Sequence, residues 1–162
     1  MKTIFSLIII LVLTVADLIS NQTTTPELEK LPCEIELTSK DDKCGEWGGN
    51  LEIIKLFQKN CEGEFFIEYR LRKMDCKIDP IVHYKRTDFD KTKVVLSSIE
   101  DRKLILTCIA ELEEMIKNNP IKITHSGIVN EVKSSDSTFM LKDYPSKEWL
   151  AFDKLKKRIM EK

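Results

Sequence analysis

The sequence predicts a mainly α, compact, disulfide-supported helical domain with room for one short strand pair. Three observations carry that expectation. Ile105, Cys108, Ile109, Leu112, Met115 and Ile116 recur at steps of three and four, the spacing of one helix face. Trp149, Phe152, Leu155 and Ile159 repeat the pattern near the C-terminus. Five cysteines, Cys33, Cys44, Cys61, Cys76 and Cys108, follow a hydrophobic leader, as in chains that mature where thiols pair.

Taken in order, Met1-Lys2-Thr3 is a short positive start, and residues 4–15 are an apolar run too short to span a bilayer comfortably. Thr14 and Ala16 put small side chains where a signal peptidase reads them, before a cut at Asp17. Residues 1–16 therefore read as a signal peptide, with the cut as late as 20. Residues 17–32 are polar and aperiodic, a disordered lead-in. They contain the sequon Asn21-Gln22-Thr23, which makes Asn21 the glycosylation candidate. Residues 33–162 are expected to form a single secreted helical domain. The mature chain of about 146 residues should bury roughly 70% of its unfolded surface, so bridges would reinforce a core.

Within that domain Glu34-Ile35-Glu36-Leu37 alternates briefly. Gly45, Gly48 and Gly49 surround Trp47 in a turn or irregular loop. Trp47 either folds back onto the core or stands out as an interface anchor. Asn50 is placed to cap a helix over 51–60, where Leu51, Ile54, Phe57 and Cys61 are near helical spacing. Residues 64–76 fit two templates. Phe65, Ile67, Tyr69 and Leu71 alternate like a strand, while Ile67, Leu71 and Met74 share a helix face. The helical reading is preferred, because a lone strand needs a partner.

Asp79-Pro80 breaks the chain, residues 81–93 read as loop, and Val94-Val95-Leu96 extends briefly. Ser97 with Glu100 matches a capping box for the central helix, which Asn118-Asn119-Pro120 stops. Residues 121–132 alternate weakly around Gly127, as a strand pair or a loop, and 133–138 form a polar connector. Ser146 after Pro145 is the expected cap of the last helix.

Five is an odd number, so at most two internal bridges form, in about 15 connectivities that spacing cannot separate. Cys108 lies on the helix stripe, and a bridge from it to a neighbouring element is favoured. The remaining thiol is either buried and inert or links two copies in a disulfide-bonded dimer.

Charge and motifs exclude several functions. Lysine plus arginine total 26 against 27 acidic residues, interspersed, which argues against a nucleic-acid partner. The cluster Lys154, Lys156, Lys157 and Arg158 is diluted by Asp153 and Glu161 and reads as a solvated helix face. Leu104 to Ala110 is far below spanning length, so no membrane anchor is expected. His83 and His125 are the two histidines, and neither sits beside a nucleophile elbow. No Cys-x-x-Cys pair offers a zinc site. Asp88-Phe89-Asp90 starts like a calcium loop, but Lys93 stands where glycine is needed and Ile99 where glutamate is. Cys44-Gly45-Glu46-Trp47 echoes a papain-type nucleophile run but places Glu46 between the cysteine and the aromatic. Asp41-Asp42 and Glu113-Glu114 read as solvated surface. No catalytic residue, metal site or cofactor is expected.

The leader, the scattered cysteines such as Cys33 to Cys44 and Cys61 to Cys76, and a helix of the Leu104 to Lys117 kind resemble the small secreted helical domains found in worms. That resemblance implies a helical fold and carries no activity. The expected function is secreted, non-catalytic binding of an extracellular protein partner. The alternative is an extracellular carrier of a small hydrophobic ligand, with Phe57, Phe65, Phe66, Trp149 and Phe152 lining its cavity.

Overall fold

β1 (Glu34–Lys40) sets the architecture of this computed structural model, which describes residues 31–78, 86–119 and 126–162. Its period-two pattern sends Ile35 and Leu37 to one face and Glu34 and Glu36 to the other. β1 pairs antiparallel with β2 (Leu51–Gln58) on one edge and β5 (Ile128–Ser134) on the other. Leu37 thereby lies across from both Ile54 and Val132, and all three are fully buried. β3 (Phe65–Arg72) joins β2, β4 (Lys91–Leu96) joins β3, and β6 (Met140–Ser146) joins β5. The sheet order is β4-β3-β2-β1-β5-β6.

Two helices, α1 (Ile99–Asn118) and α2 (Leu150–Glu161), cover the Ile35–Leu37 face. Ile105, Cys108 and Leu112 from α1, and Phe152, Leu155 and Ile159 from α2, complete the core with Ile54, Leu56 and Ile67. The two helical stripes read from the sequence are therefore in place.

The mainly α expectation is wrong: the domain is a six-stranded antiparallel sheet with two helices. The helix expected over 51–60 is β2, and the helix preferred for 64–76 is β3. Both segments are rich in isoleucine and aromatic residues, which suit a pleated surface. Their partners are supplied by β1 and by one another, so neither strand is alone. In β2 the face opposite Ile54 and Leu56 also carries apolar Ile53 and Phe57, so the clean polar alternation of a strand is lost and a run such as Leu51-Glu52-Ile53-Ile54 passes for a helix. With the sheet dominant, the helical part of the resemblance to worm secreted domains falls away. Of the stretch around Gly127, residues 128–132 lie in β5 and 121–125 are outside the described residues, while the polar connector supplies the end of β5 and the turn to β6.

The caps differ as well. The capping box of α1 is one residue later than expected. Ser98 N–H donates to the Asp101 carboxylate at 2.7 Å, and Asp101 N–H donates to Ser98 Oγ at 3.3 Å. Ser146 ends β6 and caps nothing. Instead Glu111 of α1 accepts from the Leu150 and Ala151 N–H groups at 3.0 and 2.7 Å, satisfying the start of α2 from across the helix pair. Trp149 locks the same junction, donating from Nε1 to the Cys108 carbonyl at 3.1 Å and stacking on Phe152 at 5.1 Å.

The basic cluster of α2 is more than a solvated face. Lys156 bridges Glu52 of β2 and Asp153 at 3.1 and 2.7 Å. Arg158 Nε reaches Asp101 at 2.7 Å, and Lys162 contacts the other oxygen of the same carboxylate. Asp101 is fully buried. Burial alone would raise its pKa, but the contacts from Lys162, the Ser98 N–H and Arg158 outweigh it and hold the carboxyl below the usual range. A ladder of ion pairs crosses the opposite, open face of the sheet. Glu34 meets Lys55 at 2.8 Å, and Glu36 meets Lys133 at 2.9 Å and Arg70 at 3.3 Å.

A carboxylate with a depressed folded pKa contributes stability above its unfolded value and loses it as pH falls through the folded one. Asp101→Asn is expected to cost about 3 kcal/mol at neutral pH, the lower end for a broken buried pair because both cations keep solvent access. Denaturant melts from pH 7 downward check this: below the ordinary aspartate value of 3.8 the gap between variant and wild type should narrow.

Candidate functional site: a disulfide-pinned hairpin tip

The β1–β2 connection, residues 41–50, is a surface feature held by both side-chain hydrogen bonds and a disulfide. Asp41 organises it. Its Oδ1 accepts from Lys43 N–H at 3.1 Å and Asn50 N–H at 2.8 Å, and its Oδ2 accepts from Asn50 Nδ2 at 2.8 Å. Asp41 is thus a loop organiser, and the reading of it as plain solvated surface is corrected. Asn50 caps no helix. It passes the connection onward, its Oδ1 accepting from Met74 N–H at 3.0 Å beyond β3.

Inside the tip, Gly45–Trp47 forms one 3-10 turn, closed by Cys44 N–H to Gly48 O at 2.7 Å. Gly48 has φ +81°, a left-handed backbone that glycine takes at no steric cost. Gly49 is needed for space, since a Cβ there would lie 1.7 Å from Asp41 Oδ1. The Cys44–Cys76 disulfide, with Cα atoms 5.3 Å apart, fastens the tip to the segment after β3. The second bridge, Cys33–Cys61, ties the start of β1 to the β2–β3 turn at the other end of the hairpin.

Trp47 stands on this pinned tip and is 57% exposed, so it does not fold back onto the core. Two clefts lie at the tip, and Trp47 lines one of them. One, of about 80 Å³, lies between Trp47 and the post-β3 segment, with Leu51, Met74, Arg72 and Lys73 in its walls. The other, of about 280 Å³, runs from Glu46 and Gly48 to Lys142 and Tyr144 of β6. Lys40 borders both.

The other sequence candidates fall elsewhere. Cys108 is the unpaired cysteine, so the bridge favoured from it does not form; its place on the stripe serves burial. Burial pushes its thiol pKa well up, and Glu111 adds to the effect. The five aromatics proposed for a carrier cavity are divided by the sheet. Phe57 and Phe66 stack at 5.8 Å on the open face, Phe65 lies under Arg102 of α1, and Trp149 and Phe152 are core. Asp88 and Asp90 both hold Arg86, at 2.9 and 2.8 Å. Asn21, His83 and His125 lie outside the described residues.

Asp41, Asn50, Arg72, Lys73 and Met74 were missed by sequence reasoning. The signal for the first two was present: Asp41-Asp42 and Gly48-Gly49-Asn50 are turn-forming clusters bounding a loop between two apolar runs, which is a hairpin signature. Comparison with family models, curated proteins and solved structures finds no match to this chain.

Two outcomes are expected. Asp41→Ala leaves the Asn50 amide groups short of an acceptor and should cost about 1–3 kcal/mol, read by thermal melts, with faster proteolysis within 41–50. Thiol titration without reductant should find no reactive thiol in the native protein and one per chain after denaturation, with a monomer band on non-reducing electrophoresis.

Proposed function

We propose that this is a secreted, non-catalytic protein that binds an extracellular protein partner through the Trp47 tip. The observation that carries the reading is the pairing of a 57% exposed tryptophan with a loop that has little freedom left to lose. Exposed tryptophan on a soluble surface is costly to solvate and is over-represented at the centres of interfaces. Asp41, Asn50 and the Cys44–Cys76 bridge hold its backbone before any partner arrives, which lowers the ordering cost of association. Two disulfides also favour maturation outside the reducing cytosol, in keeping with a leader over residues 1–16.

The test compares wild type and Trp47→Ala, immobilised side by side in extracellular fluid. Trp47 is mostly exposed at the tip and is not part of the buried core, so the variant should keep its circular dichroism and melt within about 0.5 kcal/mol of wild type. A protein retained by wild type should be retained at least about tenfold less by the variant, the scale of an interface hot spot. Equal retention on both surfaces contradicts the reading.

A further inference from the structure

We infer that the partner presents an acidic linear peptide segment carrying an apolar side chain, and that this segment docks in the cleft between Trp47 and the post-β3 segment. The inference rests on the reading of Trp47 as the docking residue and adds the chemistry of what it meets.

Leu51 and Met74 give the cleft apolar walls, the Trp47 indole closes one side, and Arg72 and Lys73 stand at its border. Its volume of about 80 Å³ suits a single aliphatic side chain. Among the described residues that line it, none is acidic. Arg72 gives a hydrogen bond to the neutral Arg86 carbonyl and lies 5.8 Å from the Phe89 ring, and no carboxylate among the described residues forms an ion pair with it. Lys73 gives its backbone N–H to Asp90 and its charge adds to holding that carboxyl low, but the direct side-chain contacts to Asp90 come from Arg86. Two cations, an exposed Lys73 and a half-buried Arg72, therefore border the apolar slot.

A carboxylate from a partner would take charge-assisted hydrogen bonds from the Arg72 fork while the neighbouring apolar side chain displaces water from Leu51 and Met74. A peptide supplies both groups at adjacent positions. A sulfated polysaccharide supplies the charge but no side chain for the slot, and a chain of net charge −1 offers it no broad basic field. The rim is solvent-exposed, so the electrostatic share should weaken with salt and the apolar share should not.

The test pans a displayed library of random linear peptides against the full mature protein, with counter-selection on Trp47→Ala, and titrates a heparin-derived oligosaccharide in parallel. The expected binders depend on Trp47 and carry aspartate or glutamate next to a leucine, isoleucine, valine or aromatic residue. Reversing charge with Arg72→Glu plus Lys73→Glu should weaken them about tenfold or more and flatten their salt dependence. Lys73→Glu alone keeps every described hydrogen bond of the site and should still weaken them about threefold, so a folding defect in the double variant cannot hide the result. Trp47-dependent binders that are neutral or basic, or that ignore the charge reversals, overturn the acidic assignment while leaving Trp47 as the docking residue. Trp47-dependent binding of the oligosaccharide with displacement of the peptides overturns it in favour of a polysaccharide. No Trp47-dependent binder of any kind overturns both readings.

Discussion

β1 is hydrogen-bonded along both edges, and its two partners come from opposite halves of the chain. Remove that double pairing and the β1–β4 meander and the β5–β6 hairpin become separate sheets, each with a half-covered apolar face. Ile35 and Leu37 are where the two halves meet, since both are buried against the helices and flanked by side chains from β2 and β5. The same alternation puts Glu34 and Glu36 into the ion-pair ladder on the other side, where Glu36 joins Lys133 of β5 to Arg70 of β3 across the strand between them. One four-residue run thus organises the core and the open face together. The helices then close over the core as a coupled pair, with Glu111 capping α2 from α1 and Asp101 holding the end of α2 at the start of α1.

This arrangement also explains why the tip at residues 41–50 can be rigid while projecting from the sheet. β1 and β2 are in register up to Lys40 and Leu51, so the loop ends are fixed by backbone pairing. Asp41, Asn50 and the Cys44–Cys76 bridge extend that order outward to the post-β3 segment. Each link is local and modest, of the order of 1 kcal/mol for a hydrogen bond. They act on the same few residues, so the tip and its neighbouring wall are constrained together.

The sequence made the two helices legible because each carries a complete stripe at steps of three and four, bounded by turn residues or a proline. It concealed the sheet for a physical reason. β2 and β3 sit inside the sheet, where Ile53, Phe57 and Phe66 occupy the face that in a simple two-layer pattern would be polar. Strand identity there is decided by pairing with the neighbouring strands, β1 and β3 for β2 and β2 and β4 for β3, which the residues of the segment alone do not contain. Cys108 illustrates the same limit: its position on the stripe was readable, but whether another cysteine came within reach depended on the topology. The site was half legible. Trp47 and its glycines stood out, whereas Arg72, Lys73 and Met74 reach the tip only because β3 returns alongside β2.

Docking through Trp47 requires a tip that is ordered before it meets a partner. Native-state hydrogen exchange of the Asn50 and Met74 amides, compared with Ile54 in the sheet, addresses it directly. The Asn50 amide is held by Asp41 and the Met74 amide by Asn50, both outside the sheet ladder. Protection of both amides approaching that of Ile54, lost when Cys44 and Cys76 are replaced by serine, is the expected result. Exchange at free-loop rates in the oxidised protein, with Ile54 still protected, would contradict a preformed docking surface.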